Sequence, residues 1–186
     1  EIRRVTAVVS EEAKGRVPVI TGVITDSTAS AVERGLAVKD LGVAALQVTP
    51  VHYLFRPDDD AMVKHFDTLA RRTGLPIIIY NVVPWTYLSP ALLARIIASV
   101  PGVVGVKQSA GDMKLLADLL LLVGDGARIM TAVDALLYPS FALGAHGAIA
   151  AILTAAPTLC VALWDAVQAG DHKQALALHE KLLPIW

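Results

Sequence analysis

The segment Pro76–Asp112, PIIIYNVVPWTYLSPALLARIIASVPGVVGVKQSAGD, decides the fold. Its first six residues are a β-branched apolar run ended by a phenol and an amide. A run of that kind marks a strand covered on both faces, as in a parallel sheet. Ser89 followed by Pro90 is an N-cap with proline at the first helical position, so a helix starts there. VVGVKQS (103–109) reads as the next strand, and Asp112 stands where it can cap the helix after it. Strand, helix and strand in this order make a crossover unit with parallel strands. Tyr80 closes the first strand and Lys107 lies inside the second. Lysine is rarely buried without a partner or a task. Desolvation disfavours its charged form, and the neutral amine attacks carbonyls. Lys107 is therefore the candidate nucleophile, and Tyr80 on the neighbouring strand the candidate proton donor and acceptor.

The same rhythm extends both ways. Apolar strands are expected at 17–24, 43–50, 127–134 and 144–152. Helices are expected at 1–14, 28–41, from Asp58–Asp60 to Gly74, from Pro90 onward, at 113–123, up to Leu143, and at 157–169 and 171–183. Strands alternating with helices mean an α/β fold with a parallel sheet. An open doubly wound sheet and an eight-fold barrel both fit that alternation. No G-x-G-x-x-G follows a strand and no P-loop is present, which counts against a nucleotide-binding sheet. Polar residues gather at the C-terminal strand ends: Thr25, Thr49, Tyr80, Asn81, Gln108, Ser109 and Asp134. A (β/α)8 barrel carries its active site on that face. The expected organisation is a partial TIM barrel over 1–155, with about six of eight βα units, followed by C-terminal helices over 156–186.

Composition narrows the partners. The 186 residues are 55% hydrophobic and 18% charged, with a net charge of −1. That fits buried parallel strands around one core. Without a basic block, nucleic acid is not an expected partner. No apolar run reaches the roughly 18 residues of a membrane span. Cys160 is the single cysteine, which excludes an internal disulfide and fits a reducing compartment. The opening EIRRVTAVVSEEAKG is mixed in charge and helical in spacing, so a cytoplasmic location is expected. The histidines share no metal-ligand spacing, and no metal site is expected.

GRVPVITGV (15–23), LGVAALQVTP (41–50), LPIIIYNVVP (75–84), PGVVGVKQSAGD (101–112) and LGAHGAIAAI (143–152) together resemble the dihydrodipicolinate synthase / N-acetylneuraminate lyase family of class I aldolases and dehydratases. The resemblance covers nearly the whole chain in the family's order. It implies a (β/α)8 barrel in which Lys107 forms a Schiff base with a 2-keto acid such as pyruvate, with Tyr80 moving protons beside it and no cofactor. By analogy it also implies a homo-oligomer. It places the chain from the helix after the second barrel strand onward. The family's G-T-T-G-E loop, which holds the substrate carboxylate, has no counterpart here. A non-catalytic barrel subunit serving assembly is the alternative that this departure raises.

The resemblance also marks substrate contacts. Asn81 and Ser109 follow the two catalytic positions, and Asp134 and Ile149 fall on the last two strands. Each also has a plainer reading: Asn81 as a turn residue, Ser109 and Asp134 as caps. Dihydrodipicolinate synthases carry an arginine after the Y-N-x-P motif; NVVPWTYLSP has Trp85 and Tyr87 instead. Where those synthases carry a tyrosine pair, this chain has His52 and Tyr53. His52 is a candidate proton relay or an exposed loop residue. With Phe55, these aromatics point to an aromatic or short aliphatic keto acid rather than a sugar.

Overall fold

The computed structural model describes residues 1–54 and 56–185; Phe55 lies outside the described residues. Five parallel strands stand side by side in chain order: β1 (Ile20–Val23), β2 (Ala45–Val48), β3 (Ile77–Asn81), β4 (Val103–Gln108) and β5 (Arg128–Thr131). The helices are α1 (Ile2–Ala13), α2 (Thr28–Leu36), α3 (Asp59–Thr73), α4 (Pro90–Ser99), α5 (Met113–Val123), α6 (Leu137–Ala142), α7 (Ile152–Ala155), α8 (Pro157–Gln168) and α9 (His172–Leu182). Sequential strands that neighbour one another in parallel require every crossover to carry a helix.

The helix starts follow local chemistry. Ser27 Oγ accepts from Ser30 N, Asp58 Oδ1 from Ala61 N, Ser89 Oγ from Leu92 N, and Asp112 Oδ1 from Lys114 N and Leu115 N. Each such cap satisfies a backbone donor that the helix leaves open and stabilises by about 1 kcal/mol. Gly74 ends α3 in the left-handed region, where a Cβ would be strained.

Alternation along the strands separates two faces. Leu46, Val48, Ile77, Ile79, Val106 and Ile129 join Met62, Phe66, Leu69, Leu93, Ile96 and Leu119 in one core between sheet and helices. Ala45 and Ile78 are buried but stand outside that cluster, on the opposite face. His65 of α3 is buried in the helix layer, its Nδ1 2.8 Å from Thr28 Oγ1 at the start of α2. Burial pushes its pKa down to about 4, with the Thr49 backbone a smaller opposing influence.

One irregularity sets the alignment of β3 and β4. Ile77 pairs with Val103, but Ile78 pairs with Gly105, so Val104 is an extra residue in β4. Beyond it Tyr80 pairs with Lys107 and Asn81 with Gln108. Without the bulge, counting one residue per residue from Ile77 would bring Val106 to Tyr80 and turn the lysine to the other face. Gly105 serves this stretch sterically. A Cβ there would lie 2.6 Å from the backbone oxygen of Arg128 on β5.

The expected sixth strand, 144–152, is shorter than its sequence suggests. Only Ala148 bridges to Thr131, supported by Ile149 N donating to Thr131 O at 2.9 Å. Gly144 and Gly147 both adopt positive φ, which interrupts an extended run. The chain then turns into the short α7, where the sequence reading had no helix. At the other side of the sheet β1 pairs only with β2 among the described residues. Ile20 and Ile24 near that edge, and Val5 and Val9 of α1, are exposed.

Candidate active site

The C-terminal ends of β3, β4 and β5 and the 149–151 segment surround an open pocket of about 510 Å³. Tyr80, Val82, Lys107, Ser109, Asp134 and Ile149 are among the residues that line it. The lysine Nζ lies over the Tyr80 ring, 4.0 Å from its centroid. Both residues are half-buried. The sequence reading expected Lys107 in an apolar run with the Tyr80 side chain facing it; the strand end opens onto the pocket, and the contact is through the ring face. No hydrogen bond joins the hydroxyl to the amine. An ammonium over an aromatic face gains about 0.5–1 kcal/mol where water still reaches it.

Ser109 Oγ is buried in the pocket wall without a hydrogen-bond partner. A buried hydroxyl without a partner is an exception among buried polar groups. Asp134 Oδ1 accepts from Ile152 N at 3.2 Å, which begins α7. The carboxylate thus anchors the helix after the 147–151 segment while lining the pocket. Behind it Cys160 is buried, its thiol pKa raised by burial and secondarily by Asp134. A thiol held protonated in this way is a poor nucleophile.

The other candidates fall elsewhere. Asn81 is fully buried on the helix-facing side, where its side chain binds Leu88 and Gln108 and takes no part in the pocket lining. Tyr87 is half-buried and its hydroxyl donates to Ser109 O at 3.4 Å, so it touches the pocket only through the backbone of Ser109. Trp85 is 66% exposed and donates from Nε1 to His52 O at 2.8 Å. His52 turns Nδ1 to Pro50 O, 2.9 Å away, and Tyr53 is 64% exposed. These three form a separate rim that joins the loop after β2 to the loop after β3. Val82, Val133 and Ala150 line the pocket but went unnoticed in the sequence. The available signal was their position just beyond strand ends. Among the described residues no group of three or more His, Cys, Asp or Glu side chains is placed to hold a metal ion. No helix is long and apolar enough to cross a membrane.

Comparison with known proteins follows the same geometry. The model of the Dihydrodipicolinate synthetase family matches residues 1–186. A 4-hydroxy-tetrahydrodipicolinate synthase of Thermomicrobium roseum is 36% identical over 188 residues, covering 100% of this chain and 61% of that protein. The crystal structure of dihydrodipicolinate synthase from Aquifex aeolicus superimposes with a TM-score of 0.91 at 26% identity, over 98% of this chain and 63% of the other. N-acetylneuraminate lyase from Fusobacterium nucleatum, complexed with pyruvate, superimposes with a TM-score of 0.87 at 26% identity, over 96% and 60%. The chain thus spans about three fifths of the length of these relatives.

Proposed function

Since this chain belongs to the dihydrodipicolinate synthetase family, we propose that the protein is a Schiff-base-forming lyase acting on a 2-keto acid of the pyruvate class, within a complete (β/α)8 barrel. The observation that carries this reading is the Lys107–Tyr80 pair, register partners with Nζ 4.0 Å from the ring centroid at the mouth of an open pocket. A relative that binds pyruvate has the same fold.

The chemistry follows from the pair. The neutral amine of Lys107 adds to the keto carbon, one proton is taken up at the carbinol oxygen, and water leaves as the carbon–nitrogen double bond forms, giving the protonated iminium. The resulting iminium accepts the electron pair of a bond two carbons away, so an aldol bond can break or form. Tyr80 takes or gives the proton at the oxygen that becomes or was the aldehyde carbonyl. The iminium nitrogen is the present Nζ atom, 4.0 Å from the Tyr80 ring centroid, and an aromatic face favours a cation there. Ser109 holds a buried, unpartnered hydroxyl in the pocket wall that a small side-chain rotation would offer to a substrate oxygen, and Asp134 and Ile149 also line the pocket. Trp85, His52 and Tyr53 form the outer rim that a longer substrate would meet. The fold needs no cofactor for this sequence of steps.

Incubating the intact protein with pyruvate and borohydride tests the reading. A reduced mass adduct on Lys107 is expected, and Lys107→Ala should abolish it. A protein that forms no adduct, or an alanine variant that still forms one, overturns the assignment.

A further inference from the structure

We infer that the buried Asn81–Gln108 amide pair is a positioning device for Tyr80 and Lys107, an inference that rests on the Schiff-base reading above. Asn81 follows Tyr80 on β3, and Gln108 follows Lys107 on β4. The pairs face one another in register, Tyr80 with Lys107 and Asn81 with Gln108. Alternation turns the first pair to the pocket and the second to the helix layer. Each amide therefore stands one residue behind a candidate catalytic group.

The hydrogen bonds of the two amides have one consistent orientation. Asn81 Oδ1 accepts from Leu88 N at 2.9 Å, which turns Nδ2 toward Leu88 O and Gln108 Oε1, both at 3.1 Å. Gln108 Oε1 also accepts from Ala110 N at 3.3 Å. With two donors aimed at it, that atom must be the oxygen. Ser109 N completes the seam by donating to Asn81 O at 3.1 Å. Asn81 and Gln108 are 0% and 4% exposed. Gln108 Nε2 is buried with no partner. An unpaired buried donor is a net cost that an apolar side chain of similar volume would avoid. What the amide supplies is direction: Oε1 ties β3 to β4 and to the turn at Ala110.

Two parts of the pocket wall, and one contact behind it, hang from this clamp. Val82 leaves β3 directly after Asn81. Ser109 leaves β4 directly after Gln108. Tyr87, beside the tied Leu88, reaches Ser109 O. A shift between the strand ends would alter the approach of the Lys107 amine to a bound keto carbon, and displacements near 1 Å cost about a hundredfold in rate.

The test uses the intact protein and measures the rate of pyruvate adduct formation under borohydride against pyruvate concentration, with thermal melting to count folded molecules. Asn81→Asp keeps the acceptor for Leu88 N and loses both donations. Gln108→Leu loses the shared oxygen, and Gln108→Glu keeps an oxygen in its place. The expected result is trapping at saturating pyruvate slowed about ten- to hundredfold in Asn81→Asp and Gln108→Leu. The half-saturating pyruvate concentration should stay within about threefold, and Gln108→Glu should recover most of the rate. A role in stability alone would lower the melting temperature and leave the rate per folded molecule unchanged. That outcome in Asn81→Asp overturns the inference even where Gln108→Leu does not fold, as does a Gln108→Glu protein as slow as Gln108→Leu. A wild-type protein that traps nothing overturns the Schiff-base reading and this inference with it; a trapping wild type with equally fast variants overturns only the clamp.

Discussion

The seam between β3 and β4 and the free edge of β1 are built from the same kind of sequence, yet they differ in almost every physical respect. Both are short parallel strands rich in β-branched residues. Along the seam Ile77, Ile79 and Val106 are fully buried, and the polar residues beyond them are tied to one another. Along the edge Ile20 is 38% exposed and Ile24 58%, and α1 leaves Val5 and Val9 uncovered beside them. Hydrophobic strand sequence alone therefore does not make a packed strand. Neighbours on both sides do, and the candidate site sits where both neighbours are present. An open apolar edge is a template for pairing with further strands, and in a closed barrel that edge would be consumed.

The largest effect that sharpens this contrast is in the seam. Ile79→Ala removes atoms from a site with no solvent access and should cost about 2–5 kcal/mol in denaturant unfolding. A loss as small as that of an exposed residue would mean the seam is not packed as described.

His65 asks how far dry packing extends from the seam toward the edge, because it joins α3 to the start of α2. Its folded pKa of about 4 lies below the ordinary value of 6.5. Between those values the unfolded chain binds a proton that the folded chain refuses, so stability rises with pH. The contribution is fully present above about pH 6.5 and is lost as pH falls toward 4, reaching about 3 kcal/mol at the low end. The unfolding free energies of the wild type and of His65→Gln should diverge by this amount across that window. Parallel curves would place water at His65.

A smaller effect is expected where β4 meets β5. Gly105→Ala puts a methyl against the Arg128 carbonyl oxygen, which is backbone and cannot swing away. A destabilisation of about 1–3 kcal/mol should follow. The edge gives the smallest response in the same unfolding series as Ile79: Ile20→Ala should change the stability of this chain by about 1 kcal/mol or less. A cost equal to that of Ile79→Ala would erase the comparison.

The seam was legible in sequence because its signals are local. Ser89-Pro90, Asp112 and the runs PIIIYN and VVGVKQS each specify a start, a cap or a buried strand without reference to distant residues. Lys107 and Tyr80 stood out for the same reason, as polar groups ending or interrupting such runs. The bulge at Val104 did not, because an extra residue in one strand is defined only by its partner strand. The shortness of the 144–152 strand was half legible: Gly144 and Gly147 were visible, but their positive φ values depend on the packed chain. Asn81 read as a turn residue because an asparagine after a strand usually is one; its bonds to Leu88 and Gln108 appear only with the fold. Trp85, His52 and Tyr53 gathered in the sequence as aromatics suited to a pocket, yet composition carries no direction: Trp85 and Tyr53 are exposed, His52 is half-buried, and none of the three lines the pocket.

The contact of Asn81 with both the N–H and the C=O of Leu88 has a further consequence. It closes the segment 82–87 into a loop whose two ends are fastened to each other. The same amide is fastened to Gln108 and the Asn81 backbone carbonyl to Ser109, and Tyr87 within the loop reaches the Ser109 carbonyl. The loop is therefore a lever on the end of β4: a change in its length or side chains is passed to the strand bearing Lys107.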